Sequence, residues 1–308
     1  MRHLRIGTRG SLLAKWQAEF VRKQLFANAG VETEIVIIKT AGDKLQSSAL
    51  SQIGGKGIFI KELEEALLEE TIDLAVHSVK DVPTDTPSRL MFPAVCRRAD
   101  VRDCLVAANG ATLGSLRQGA RVGTGSLRRQ AQLRHIRPDL DIRDLRGNVD
   151  TRLRKVESGE YEAVMLAKAG LDRLGLSERI TEIFSPETFL PAVGQGAIAV
   201  ECRLRDPEAA EVAGGLDDAE TRTAIIAERA LLGALHGGCQ VPLGAWARIE
   251  RGELVMEACV CSVDGLQYVK QRATAAPEQA AELGGHVANL LMEAGAQSIL
   301  EEVSRQRG

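Results

Sequence analysis

The chain has 308 residues, which at about 150 residues per domain divides into two or three. Its 39 basic and 42 acidic side chains nearly balance, and two Trp, two Tyr and six Phe are too few for base-stacking platforms. Nucleic acid is therefore excluded as a partner, and any cationic site has to come from local clustering.

The predicted elements alternate in type. LRIGT (4–8) reads as a strand, Ser11 to about Ala27 as a helix, and EIVIIKT (34–40) as a second strand. From Gly57 to about Glu69, Phe59, Ile60, Leu63, Ala66 and Leu67 recur at helical spacing, and TIDLAVH (71–77) follows as a third strand. The same β-α-β-α-β order returns after residue 119: RVGT, a helix from Ser126 to about Arg137, LDIRDL, a helix from Val149 to Glu157, and YEAVMLA. IGTRGSLLA and VGTGSLRRQ open the two halves alike, an internal repeat of architecture. The stretches 96–103 and 190–196, the second marked by Pro191, Gly194 and Gly196, read as the two crossings of a hinge.

The expected fold class is α/β: two βαβ lobes joined by a hinge, plus a smaller C-terminal α+β domain. Lobe 1 takes residues 1–98 and 197–216, lobe 2 takes 99–196 with the crossings, and 217–308 form the third domain. That last part shows a helix through Leu235, strand runs turning at ERGE and VDG, and a helix from about Pro277. Two facing lobes of this kind make a cleft at the carboxyl ends of their strands, where ligands bind.

Each half opens with a strand, a Gly/Thr/Ser turn and a helix N-terminus, where unpaired N–H groups suit an anion. Thr8 and Ser11, like Thr124 and Ser126, can cap these helices, bind ligand, or do both. Neither G-x-G-x-x-G nor G-x-x-x-x-G-K-[ST] is present, which argues against a nucleotide site. Arg9, Arg128, Arg129, Arg146, Arg152 and Arg173 fall at or near the carboxyl ends of strands. Any one of them reads as solvated surface charge; as a set they point to a polyanionic ligand, because a guanidinium pairs bidentately with carboxylate.

HSVKDVP closes the third strand and sets Lys80 and Asp81 beside those arginines. Asp81 reads either as a turn cap or as a carboxylate, kept ionised by its neighbours, that stabilises a developing cation. GGKG at 54–57 carries Lys56 into a helix N-terminus, as a lid or as a plain linker. Six cysteines, at 96, 104, 202, 239, 259 and 261, lack C-x-x-C spacing and read as reduced thiols, with no metal expected. Cys259 and Cys261 share a strand face as packing residues, whereas HGGCQVP puts Cys239 on an unshielded backbone, open to covalent chemistry or to packing. No apolar run reaches about 18 residues and no secretory signal is visible, so the expected setting is cytoplasmic, away from the membrane.

TRGSLLAKWQA, GGKGIFIKELEEALL, AVHSVKDVP, GTGSLRRQAQL, LRGNVDTRL, LAKAGLDRLGL, LPAVGQGA, ERALL and GGCQVPLGA together resemble the porphobilinogen deaminase (hydroxymethylbilane synthase) family over almost the whole chain. The resemblance implies three domains, two of them like the lobes of periplasmic binding proteins. It implies a dipyrromethane cofactor in thioether linkage to Cys239, Asp81 as the catalytic aspartate, and carboxylate binding by Arg9, Arg128, Arg129, Arg146, Arg152 and Arg173, with Ser11, Lys80, Thr124 and Ser126 nearby. The implied reaction condenses four porphobilinogen molecules head to tail with loss of ammonia, then releases a linear tetrapyrrole by hydrolysis. A monomer is implied, with uroporphyrinogen III synthase receiving the product. Ala41 stands where the family often has arginine, Gly125 where serine is common, and Leu12 where proline is common.

Overall fold

In the computed structural model the described residues are 3–40, 60–84, 86–235 and 241–305; Lys56 and Cys239 lie outside them. The chain forms two compact units, Met1–Ala99 with Gly196–Arg222 and Asp100–Gln195 with Thr223–Gly308. The strands are β1 (Leu4–Thr8), β2 (Thr33–Ile37), β3 (Leu74–Ser78), β4 (Leu90–Val95), β5 (Asp103–Ala107), β6 (Arg121–Gly123) and β7 (Asp141–Arg143). They continue with β8 (Ala163–Ala167), β9 (Glu182–Ile183), β10 (Ile198–Arg203), β11 (Leu243–Glu250), β12 (Glu253–Cys261) and β13 (Tyr268–Ala275).

The first unit is built on one sheet in the order β2-β1-β3-β10-β4. β1 runs parallel to β2 and β3, and β10 runs antiparallel to β3 and β4. One face of this sheet packs Leu4, Ile6, Leu74 and Val76 against Ala18, Val21 and Leu25 of the helix Leu12–Ala29. The other packs Ile72 and Ala75 against Leu63, Ala66 and Leu67 of the helix Lys61–Leu68. Because both faces are covered, the interior strands β3 and β10 are buried along almost their whole length rather than on alternate residues. β4 contains Pro93, which lacks a ladder N–H, and the fold tolerates it because β4 is an edge strand.

The second unit repeats that arrangement in the sheet β7-β6-β8-β5-β9, with β6 parallel to β7 and β8 and β5 antiparallel to β8 and β9. In each sheet the antiparallel interior strand, β10 or β5, begins at the end of one of the expected hinge stretches. The same unit holds the antiparallel sheet β11-β12-β13. β11 and β12 are joined through Arg251 and Gly252, both at positive φ, as a tight hairpin requires. Leu254, Met256, Ala258 and Val260 of β12 face the helices Ala219–Ala234 and Ala280–Leu291. No helix among the described residues is long and apolar enough to cross a membrane.

The loop between β12 and β13 grips the helix Leu127–Ile136. Arg134 Nη1 donates to the Val263 carbonyl at 2.6 Å, His135 Nδ1 lies 2.9 Å from the Gly265 carbonyl, and the His135 ring stacks on Tyr268 at 4.7 Å. Gly265 has φ +81, and a Cβ there would lie 2.5 Å from the His135 backbone nitrogen. Gly265→Ala is therefore expected to cost about 1–3 kcal/mol by overpacking and left-handed strain. A thermal melt checks this, and an unchanged midpoint would mean that the loop does not hold the helix.

Candidate active site

In the first unit, β1 and β3 lie side by side and parallel, so the residues that follow them share one edge of the sheet. After β1 come Arg9 and Ser11. Ser11 is the N-cap of the helix Leu12–Ala29, with Oγ accepting from Ala14 N, and Thr8 Oγ1 donates to the Ala14 carbonyl at 3.0 Å. Both hydroxyls thus build the turn that presents Arg9. After β3 a single 3-10 turn, Val79–Asp81, carries Lys80 and Asp81. The turn is held by Val79 N to the Ala197 carbonyl and by Val82 N to the Val79 carbonyl. Asp81 is half-buried at the last position of this turn, and the N-cap residue Ser78 makes no side-chain cap hydrogen bond.

Two pairs beside Asp81 escaped sequence reasoning. Gln17 Nε2 donates to Ser78 Oγ at 2.9 Å, tying the first helix to the residue that ends β3. His77 Nε2 lies 2.9 Å from Glu201 Oε2, with both side chains buried between β3 and β10. A polar residue inside an apolar run, in QAEF and in AVECR, is the signal that could have found them.

In the second unit Thr124, Ser126, Arg128, Arg129, Arg146 and Arg173 follow β6, β7 and β8, again adjacent and parallel. Thr124 is buried; its Oγ1 accepts from Ser126 N and its carbonyl accepts from Gln130 Nε2. Ser126 occupies the N-cap position of the helix Leu127–Ile136 but makes no side-chain cap bond, unlike its counterpart Ser11. Arg146 is exposed and donates to Asp144 at 3.0 Å, and Arg152 Nε donates to the Gly147 carbonyl at 2.8 Å. Arg173 ends the helix Lys168–Arg173.

Arg128 and Arg129 are 3% and 6% exposed, so they are core residues rather than surface charges. Arg128 Nη1 donates to Asp103 Oδ2 and to the Leu190 carbonyl, both at 2.6 Å, while Arg129 gives Nε and Nη2 to Asp103 Oδ1 at 2.9 and 2.7 Å. Arg129 Nη1 takes the Met165 carbonyl, and Gln195 Nε2 also donates to Asp103. Arg128 Nε is buried without a hydrogen-bond partner among the described residues. Burial pushes the Asp103 carboxyl pKa up, but the two guanidiniums reverse this and hold it at about 2. The five described cysteines are free thiols and all buried. Burial pushes Cys104 and Cys261 up to about 12 and Cys202 to about 11.

Residues 4–211 match the family model described as "Porphobilinogen deaminase, dipyromethane cofactor binding domain", and residues 222–293 match "Porphobilinogen deaminase, C-terminal domain". A porphobilinogen deaminase from Syntrophotalea carbinolica is 50% identical over 298 residues, spanning 96% of this chain and 95% of its own. One from Syntrophobacter fumaroxidans is 46% identical and spans 99% of both chains. Among solved structures, the methionine binding protein MetQ superposes with a TM-score of 0.44 at 12% identity, over 69% of this chain and 88% of its own.

The depressed Asp103 pKa fixes a pH dependence. A carboxyl at about 2 when folded and near its ordinary 3.8 when unfolded contributes stability that is complete above that ordinary value and is lost as pH falls towards 2. Urea melts at stepped pH should show the gap between wild type and Asp103→Asn steady from pH about 7 to 5 and closing by roughly 2 kcal/mol below about 4. A gap that does not change across that range would show the carboxylate to be unpaired.

Proposed function

Because the chain belongs to the porphobilinogen deaminase family, we propose that Asp81 is its cation-stabilising carboxylate, that Cys239 carries its dipyrromethane cofactor, and that its arginines hold the carboxylates of the pyrrole rings. The enzyme is a transferase that deaminates porphobilinogen and condenses four units head to tail, releasing hydroxymethylbilane by hydrolysis. When bound, the dipyrromethane supplies the pyrrole α-carbon on which the chain is started.

The observation that carries this reading is the state of Asp81. The turn after β3 is fixed by backbone hydrogen bonds and presents the half-buried carboxylate at the same sheet edge as Arg9, which follows the adjacent parallel strand β1. Loss of ammonia from porphobilinogen leaves positive charge on the pyrrole, and a pre-placed carboxylate stabilises that charge without reorganising. Ser11, Lys80, Thr124 and Ser126 accompany the arginine set Arg9, Arg128, Arg129, Arg146, Arg152 and Arg173. A polyanionic group suits the second unit, where a buried guanidinium nitrogen of Arg128 has no partner among the described residues. For the thioether, a thiol has to be reachable and able to ionise. Burial argues against the five described cysteines, which leaves Cys239. We place the enzyme in the cytoplasm as a monomer that passes its product to uroporphyrinogen III synthase.

Asp81→Asn should keep the fold and the bound cofactor and lower turnover by about a hundredfold or more, since it removes one charge and almost no volume. Near-normal turnover of the pure variant would reject Asp81. The intact mass of the purified wild type should exceed the sequence mass by two pyrrole units, and the protein should give the colour reaction of a dipyrromethane with an acidic aldehyde reagent. Cys239→Ala should lose the extra mass, the colour and the activity, while Cys259→Ala should keep all three. Extra mass persisting in Cys239→Ala would move the anchor elsewhere.

A further inference from the structure

Arginine–aspartate clusters occur in both units, at different depths. In the first, Asp73 is 3% exposed and accepts from Arg5 Nε at 3.0 Å and Arg203 Nη2 at 2.9 Å. Arg203 Nη2 also donates to Asp206 Oδ2 at 2.7 Å. Arg5 in this cluster is 35% exposed at its side chain. In the second, Arg128 and Arg129 meet the single carboxylate of Asp103, and the remaining acceptors are the neutral carbonyls of Leu190 and Met165. Among the described residues this cluster carries one more positive than negative charge, and it also holds the unpartnered Nε of Arg128. A buried charge of this kind is expensive unless an anion joins it.

The division of donors shows how the surplus is directed. Asp103 takes the whole Nε–Nη2 edge of Arg129, whose third nitrogen is used by Met165, so Arg129 is committed to the protein. Arg128 gives Asp103 only Nη1. Its guanidinium is fixed further by the Leu190 carbonyl and by the Phe189 ring, 5.8 Å from Cζ. Leu190 is held in turn by Gln132, which bonds both its N–H and its carbonyl.

We infer that Asp103 is a positioning residue for carboxylate recognition: it locks Arg129 as a strut, neutralises one of the two guanidiniums, and leaves the Nε donor of Arg128 for a single carboxylate of a pyrrole ligand. This rests on the reading of Arg128 as a ligand-binding arginine. Asp103 itself makes no ligand contact and acts through Arg128. The pair is thus a one-carboxylate site, although it contains two arginines.

The test compares Asp103→Asn with Asp73→Asn, an aspartate that also accepts from two arginines but in a shallower cluster, where Arg5 is 35% exposed. Each full-length variant is purified, its melt recorded, its cofactor occupancy read from intact mass, and KM for porphobilinogen measured on the occupied fraction. Both variants should melt lower. Only Asp103→Asn should lose most of its cofactor mass or raise KM, on the order of tenfold for one displaced charge-assisted hydrogen bond. Should Asp103→Asn fail to fold, Asp103→Glu keeps the charge, moves it by one methylene, and should show the same loss. Full occupancy with unchanged KM in the folded Asp103 variant, or an equal loss in Asp73→Asn, would overturn the inference. Arg128→Leu separates the two levels: if it keeps the cofactor and its KM, the ligand-binding reading fails, whereas if it loses them while Asp103→Asn does not, the positioning role alone fails.

Discussion

Two consecutive arginines on one helix cannot both enter a core without an anion between them, and the second unit is organised around the aspartate that meets this need. Asp103 is fully buried at the first position of β5, within 2.6–2.9 Å of both guanidiniums. Removing one partner of such a cluster costs about 3–5 kcal/mol, because the others stay buried and uncompensated. That constraint fixes several things together. β5 has to enter its sheet at the end where the helix Leu127–Ile136 begins, and this helix has to turn Arg128 and Arg129 inward. Gln195, which donates to Asp103 and to the Val101 carbonyl at 2.7 Å, ties one expected hinge stretch to the other.

The third sheet acts on the same helix. The loop after β12 grips its last turn through Arg134 and His135, while β11 approaches its first turn by way of Leu190. A Cβ on Gly244 would lie 2.7 Å from Leu190 Cβ and 3.0 Å from the Leu190 carbonyl oxygen, the oxygen that accepts from Arg128. Ala245 N completes the contact by donating to the Pro191 carbonyl. Glu228, buried in the helix Ala219–Ala234, takes Ala247 N and Gly194 N on its two oxygens, so the elements that flank the Cys239 segment in sequence are fastened together just beyond it. The close approach at Gly244 explains why glycine follows so soon after GGCQVP.

Much of this was legible in the sequence. The β-α-β-α-β order shows because helices with one buried face and strands covered on both faces have different periodicities, and β1, β3 and β8 begin and end within a few residues of the expected bounds. β4 and β10 did not stand out. Pro93 reads as a strand breaker until the strand is known to lie at an edge, and Glu201 breaks an apolar run until His77 on the neighbouring strand is known to face it. The likeness of Ser11 and Ser126 concealed a difference: one caps its helix by side chain, while in the other turn Thr124 takes the free N–H. Asp103 was invisible for a different reason. Its partners lie 25 and 26 residues further on, and a lone aspartate opening DCLVA looks like a strand-end residue.

Exposure separates the arginines that their place at strand ends grouped together. Arg146 is 43% exposed at its side chain and pairs with Asp144 at 54%, and an ion pair that wet contributes about 0–1 kcal/mol. The pairing of Arg146 with Asp144 is therefore weak and costs little to exchange for another anion. Arg128 is the opposite case. Its side chain is 4% exposed, burial lowers its pKa against the pull of Asp103, and its rotamer is fixed before any ligand arrives. The entropy of ordering that guanidinium is therefore met during folding, and a carboxylate reaching Nε gains a charge-assisted bond in a medium that screens it weakly. An anion suits such a site, since the cluster of Arg128, Arg129 and Asp103 carries one more positive than negative charge among the described residues.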